Sequence, residues 1–173
     1  MYRGGHFDLY SPRSTRLRLP VAEGVSVPSI DHLTEQTAEK RNILIEAARI
    51  GRGRIREIRE IDFEEYGALI IPGGLGLLNN YRNSERVKAC MTHFVSSRKP
   101  IAAMCAGIDF LRRFLGNDLL ADETKDLTAE SYCFDAGKNI YYTPAFRKTA
   151  GCHTAQMGIN AMIDALCQAQ TVR

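Results

Sequence analysis

The stretch 98–111, Arg-Lys-Pro-Ile-Ala-Ala-Met-Cys-Ala-Gly-Ile-Asp-Phe-Leu, constrains the fold most, because its periodicity changes at one residue. Ile101 to Met104 is a short apolar run of the kind a sheet covered on both faces requires. Pro100 can open that strand because its missing N–H falls at the end of the ladder. Beyond Cys105, Ile108, Leu111 and Leu115 recur at helical intervals, and Gly116 supplies a stop. The stretch therefore predicts a buried strand that turns into a helix at Cys105, with small Ala106 and Gly107 permitting the tight bend. A side chain at such an elbow stands above the carboxyl edge of the sheet, beside helix N–H groups whose partial positive charge favours a thiolate. Cys105 is thus either a nucleophile or one more small buried hydrophobe.

A second stretch favours the nucleophile. Tyr66 to Gly76 is an apolar strand running into Pro72-Gly73-Gly74, a turn that can offer backbone N–H groups to an oxyanion from the neighbouring strand end.

At 173 residues the chain suffices for one α/β domain with a sizeable core, taken as 1–173. No apolar run approaches the roughly 20 residues that span a bilayer, so no membrane is expected. The net charge is +3, and the basic run of Arg49, Arg52, Arg54, Arg56 and Arg59 is broken by Glu57 and without interleaved aromatics. That reads as a solvated face and predicts no nucleic-acid partner. Cys90, Cys105, Cys133, Cys152 and Cys167 are odd in number and never form a C-x-x-C pair, and the four histidines show no ligand spacing. The expectation is a reducing, cytoplasmic address with no disulfides and no metal. Arg3, Arg13, Arg16 and Arg18 accompany Asp8 and an alternating Phe7 to Tyr10, which suits a strand better than a targeting peptide.

In chain order, His6 to Tyr10 alternates as a strand ended by Ser11-Pro12, and Pro20 to Pro28 reads as irregular. Thr34 or Thr37 caps a helix through about Ile50, with Ile43, Leu44, Ala47, Ala48 and Ile50 as its apolar stripe and Glu39, Lys40 and Arg41 facing water. Ile55 to Ile58 suits a short strand, and Asp62-Phe63-Glu64-Glu65 a single capped turn before a strand at Ala68 to Ile71. Asn79, Asn80 and Asn83 mark a loop. Ser84 caps a helix to about Ser97 whose core face is Val87, Cys90, Met91, Phe94 and Val95. After an irregular Asn117 to Ala129, Ser131 to Phe134 and Ile140 to Thr143 flank a Gly-bearing turn and predict a hairpin. A closing helix runs from Arg147 to about Gln168, with Met157, Met162, Ile163 and Leu166 inward and His153 structural. Helices between short strands mean an α/β sandwich.

Four segments together resemble the ElbB-type glyoxalase family of the ThiJ/PfpI superfamily, which has a class I glutamine amidotransferase-like fold. They are Ile30-Asp31-His32-Leu33-Thr34 with the run Arg41 to Gly53, then Ala68 to Gly76 with Asn80, Lys99-Pro100 to Cys105, and Thr143-Pro144-Ala145-Phe146. Arg3-Gly4-Gly5 and Ser11-Pro12 extend the similarity towards the start of the chain.

The resemblance implies a flavodoxin-like three-layer sandwich with a mostly parallel sheet, a homodimer, and weak conversion of small 2-oxoaldehydes to 2-hydroxy acids. Cys105 would attack the aldehyde, and N–H groups at Gly73, Gly74 and Ala106 would hold the oxyanion, with no cofactor required. Against the family pattern, Met1 falls just before the second strand. The expected sheet is therefore incomplete, lacking the first strand, the first helix and the glutamate they supply. Open edges would then lie along the strands carrying Gly73 and Phe7 and promote self-association. Asp109, four residues after Cys105, is either a substitute proton carrier or an acidic cap of the first helical turn. Two functions stay open: a weak glyoxalase or deglycase, and an inactive family remnant that forms oligomers or binds a partner.

Overall fold

The computed structural model describes residues 7–10, 18–30, 33–34 and 36–171. The expectations resting on Arg3-Gly4-Gly5, His6, Ser11-Pro12 and Asp31-His32 lie outside the described residues. The strands are β1 (Phe7–Tyr10), β2 (Arg18–Ala22), β3 (Ser26–Ile30), β4 (Thr37–Asn42), β5 (Arg56–Glu57), β6 (Ala68–Ile71), β7 (Ile101–Met104), β8 (Cys133–Asp135) and β9 (Ile140–Thr143). The helices are α1 (Ile43–Gly51), α2 (Leu75–Asn80), α3 (Glu85–Ser96), α4 (Gly107–Leu115) and α5 (Cys152–Thr171).

Seven strands form one sheet in the order β5-β2-β1-β6-β7-β9-β8. The central trio β6, β7 and β9 is parallel, with Ile71 opposite Ala103 and Met104 opposite Thr143. β1 is antiparallel to both of its neighbours, β2 and β6, whereas β5 is parallel to β2. β8 is antiparallel to β9. Five strands thus run one way and only β1 and β8 oppose them, which is the mostly parallel α/β sheet expected from sequence.

Alternation along these strands builds two cores. Leu9, Leu69, Ile71, Ile101, Ala103, Ile140 and Tyr142 face the layer formed by α1 to α4, whose Ile43, Leu77, Val87, Phe94, Ile108 and Leu111 are buried against them. Ala68, Ile70, Ala102 and Tyr141 face the opposite side, where Met162 and Leu166 of α5 cover them. Sheet between helical layers is the three-layer sandwich.

The expected open edge along the Gly73 strand is overturned. β6 is paired on both sides, by β7 and by β1, whose Leu9 sits opposite Leu69. The strand carrying Phe7 itself fills the position beside β6, antiparallel, and its antiparallel pairing with β2 continues the sheet outward.

Local expectations fail where tertiary pairing overrides propensity. Thr37 does not cap a helix; Thr37–Asn42 pairs antiparallel with β3. The helix begins later, where the Asn42 side chain accepts a bond from the Ile45 N–H at 3.1 Å. Ile50 then points outward, while Glu46 is buried and pairs with Arg49 at 3.5 Å. Pro20 to Pro28 is not irregular but belongs largely to β2 and β3, and the asparagine loop after Gly76 is mostly α2. α5 starts at Cys152 rather than Arg147, and Met157 is exposed, with Ala155 inward instead, while Met162 and Leu166 are buried as expected. Ser84 does cap α3, its Oγ accepting from the Val87 N–H at 3.1 Å, and Cys90 lies in the core as its spacing indicates.

Candidate active site

Because β6, β7 and β9 are parallel, their carboxyl ends come together, and the next residues of each form the site: Pro72-Gly73-Gly74, Cys105-Ala106 and Pro144 onward. This is where open α/β sheets place their ligands. Cys105 takes the left-handed conformation, φ 53°, which an L residue adopts at a cost of roughly 1–3 kcal/mol. Its N–H donates to the Thr143 carbonyl at 3.1 Å, so β7 stays paired with β9 up to the bend. Ala106 is the N-cap of α4, and the thiol is partly exposed at the apex.

Gly73, also in the left-handed region at φ 82°, lies against this apex. A β-carbon there would fall 2.4 Å from the Met104 carbonyl oxygen, 3.2 Å from the Ala106 nitrogen and 3.3 Å from the Cys105 β-carbon. Only glycine allows the approach. Gly74, at φ 98°, is the N-cap of α2, and a β-carbon on it would meet nothing within 4 Å. Among the described residues, no protein acceptor takes a hydrogen bond from the N–H of Gly73, Gly74 or Ala106. Nucleophile and oxyanion donors expected from sequence thus share one end of the sheet.

Asp109 is in the first turn of α4, as expected, but its carboxylate is engaged by the Arg147 guanidinium. Arg147 stands in the 3-10 turn Ala145–Arg147 that follows β9. Asp109 is one half of an ion pair between α4 and the segment after β9. Beside it, the Tyr142 hydroxyl donates to the Cys105 carbonyl at 3.3 Å. Burial pushes the Tyr142 phenol above its ordinary pKa, and nearby Arg147 offsets part of that. Burial acts to lower the Arg147 pKa, but Asp109, Tyr142 and Cys105 more than offset it. Sequence reading missed Tyr142 and Arg147: one reads as an ordinary strand aromatic and the other as a helix start.

The other cysteines differ. Cys90 is buried on α3 and its thiol is pushed up to about 12, chiefly by desolvation. Desolvation likewise raises Cys133 to about 11. Cys152 is exposed at the first turn of α5, whereas Cys105 lies between the end of β7 and the start of α4. His153 is exposed in the same turn. Among the described residues, no group of three or more His, Cys, Asp or Glu side chains could hold a metal. No helix among them is long and apolar enough to cross a membrane. A cleft of about 980 Å³ opens elsewhere, between the β3–β4 hairpin and the α2–α3 junction; Val27, Ile30, Arg59, Asn80, Arg82 and Arg86 are among its lining residues.

Fold and site together define an α/β sandwich with a cysteine at a strand-to-helix elbow beside a glycine turn. The sequence pattern of the DJ-1/PfpI family matches residues 19–117, more than half of the chain, and the chain belongs to that family. It is 32% identical over 88 residues to the mitochondrial ES1 protein homolog of Rattus norvegicus, covering 44% of this chain and 33% of the relative. The same identity and coverage hold for the human mitochondrial glutamine amidotransferase-like class 1 domain-containing protein 3. The chain thus spans about a third of the length of these relatives. A crystal structure of an isoprenoid biosynthesis protein with an amidotransferase-like domain, from Ehrlichia chaffeensis, is also similar. It superposes with a TM-score of 0.73 at 26% identity, over 86% of this chain and 81% of that one.

Proposed function

We propose that the chain acts as a cysteine-dependent glyoxalase or deglycase of the ElbB-type branch, taking small 2-oxoaldehydes to 2-hydroxy acids. The observation that carries this reading is the strained Cys105 apex packed against Gly73, within reach of unengaged N–H groups of two loops. The Cys105 sulfur forms a bond to the aldehyde carbon, and the resulting oxyanion is held by N–H groups of Gly73, Gly74 and Ala106. Within the adduct the hydrogen of the former aldehyde carbon shifts as a proton to the neighbouring carbon, oxidising the first to a thioester and reducing the second to an alcohol, whose oxygen takes up the proton the thiol lost on attack. Water then cleaves the carbon–sulfur bond, releasing the 2-hydroxy acid and the thiol. The oxidation and the reduction fall on adjacent carbons of one molecule, so the balance calls for no external electron carrier.

A second reading, a catalytically inactive member that forms oligomers or binds a partner, is favoured by the Asp109–Arg147 pair, which occupies the carboxylate nearest in sequence to the cysteine. Both readings accommodate a homodimer. The five free cysteines suit a reducing compartment, the cytoplasm being the simplest, while the curated relatives carry a mitochondrial designation. The deciding experiment is methylglyoxal consumption by wild type, Cys105→Ala and Cys90→Ala. Loss in Cys105→Ala with survival in Cys90→Ala supports the enzyme; consumption unchanged by Cys105→Ala overturns it, and no consumption in any of the three favours the inactive reading.

A further inference from the structure

Cys105 takes its left-handed conformation between the two arms of the elbow, and one short segment reaches all of it. On the strand side, the Cys105 N–H donates to the Thr143 carbonyl at 3.1 Å. At the apex, the Cys105 carbonyl accepts from the Tyr142 hydroxyl at 3.3 Å, across 37 residues of sequence. On the helix side, Asp109 is paired with Arg147. Arg147 is itself anchored, its N–H donating to the Pro144 carbonyl at 3.0 Å. Tyr142 is 2% exposed, so its hydroxyl is delivered by a ring locked in the core, whereas Arg147 is partly exposed and its guanidinium hydrogen-bonds the Tyr142 side chain.

We propose that Tyr142 and the Arg147–Asp109 pair are positioning residues that clamp the Cys105 elbow, with segment 142–147 holding its strand arm, apex and helix arm at once. The clamp deepens the reading of Cys105 as a nucleophile and takes its significance from it, but its existence is independent of any activity. The same segment carries a second left-handed residue, Ala145 at φ 45°.

The test is hydrogen–deuterium exchange with mass spectrometry on the full chain, reading the amide of Cys105, in wild type, Tyr142→Phe, Arg147→Met and Arg147→Lys. Tyr142→Phe keeps the buried ring and removes only the hydroxyl, and Arg147→Lys keeps a cation for Asp109. The expected result is at least tenfold faster exchange at Cys105 in Tyr142→Phe and Arg147→Met, near-wild-type exchange in Arg147→Lys, and unchanged protection through the middle of α5. Iodoacetamide labelling of Cys105 should slow at least fivefold in the first two variants, while Cys90 stays unlabelled. Unchanged Cys105 exchange in Arg147→Met, or equal loss of protection in Arg147→Lys and Arg147→Met, overturns the clamp. A wild-type Cys105 that proves unreactive would overturn the nucleophile reading and leave the exchange result to decide the clamp by itself.

Discussion

Gly73 and Cys105 come from different strands, 32 positions apart, yet a β-carbon on Gly73 would lie 3.3 Å from the Cys105 β-carbon. Both residues take positive φ, 82° and 53°, so a glycine turn and a strained cysteine turn are pressed together at one end of the sheet. That contact sets the distance between the thiol and the N–H groups of the Pro72-Gly73-Gly74 turn, and it depends on the absence of a side chain.

Gly73→Ala should therefore be severe. The added methyl overlaps the Met104 carbonyl oxygen at 2.4 Å and sits at a φ that disfavours an L side chain. Relief requires the two loops to separate, with a loss of about 2 kcal/mol or more. For a chain of this size that is a fall of roughly 4–8 °C in Tm, measurable by calorimetry. Gly74→Ala, where a β-carbon meets nothing within 4 Å, carries only the φ penalty and should cost less.

β1 is the strand that closes the sheet centre, and its Leu9 is fully buried opposite Leu69. Leu9→Ala should cost about 2–5 kcal/mol in urea unfolding, as for other core leucines. The amides of Ala68 to Ile71 should lose hydrogen-exchange protection with it. A loss below about 1 kcal/mol would mean that β1 contributes little to the centre of the sheet.

Much of the site's frame is legible in sequence because it is local. Pro100 to Leu115 announces strand, bend and helix by a change of period, and Ser84 announces α3 by cap chemistry. What is illegible is set by partners distant in sequence. Thr37–Asn42 contains Ala, Glu, Lys and Arg, good helix formers, yet pairing with β3 makes it a strand. No pattern links positions 105, 109, 142 and 147, because only the parallel register of β7 with β9 brings Thr143 beside Met104 and carries Tyr142 and Arg147 to the elbow. The interior of the sheet follows the same rule: Phe7–Tyr10 occupies, antiparallel, the position beside β6 that the family resemblance leaves empty.

Cys90 predicts a pH dependence of stability. Its thiol rises from an ordinary 9.0 to about 12 because burial disfavours the thiolate. The folded state therefore holds this proton more tightly than the unfolded state. The contribution is complete below pH 9 and declines as pH rises towards 12, by up to roughly 1.4 kcal/mol per pH unit. Urea unfolding between pH 8 and 10.5 should show a steeper decline in wild type than in Cys90→Ala. Equal slopes would contradict a buried neutral thiol.

The central claim is that Cys105, and no other cysteine, is the reactive group of the molecule. Peptide mapping after brief iodoacetamide treatment near neutral pH, with and without methylglyoxal, tests it most directly. Cys90 and Cys133 should label slowly because their thiols are held at about 12 and 11, and exposed Cys152 provides the comparison for plain accessibility. The account predicts that Cys105 is modified ahead of Cys90, Cys133, Cys152 and Cys167, and that methylglyoxal delays the modification of Cys105 alone. Modification of Cys152 first, with Cys105 no faster than the rest and indifferent to methylglyoxal, would contradict it.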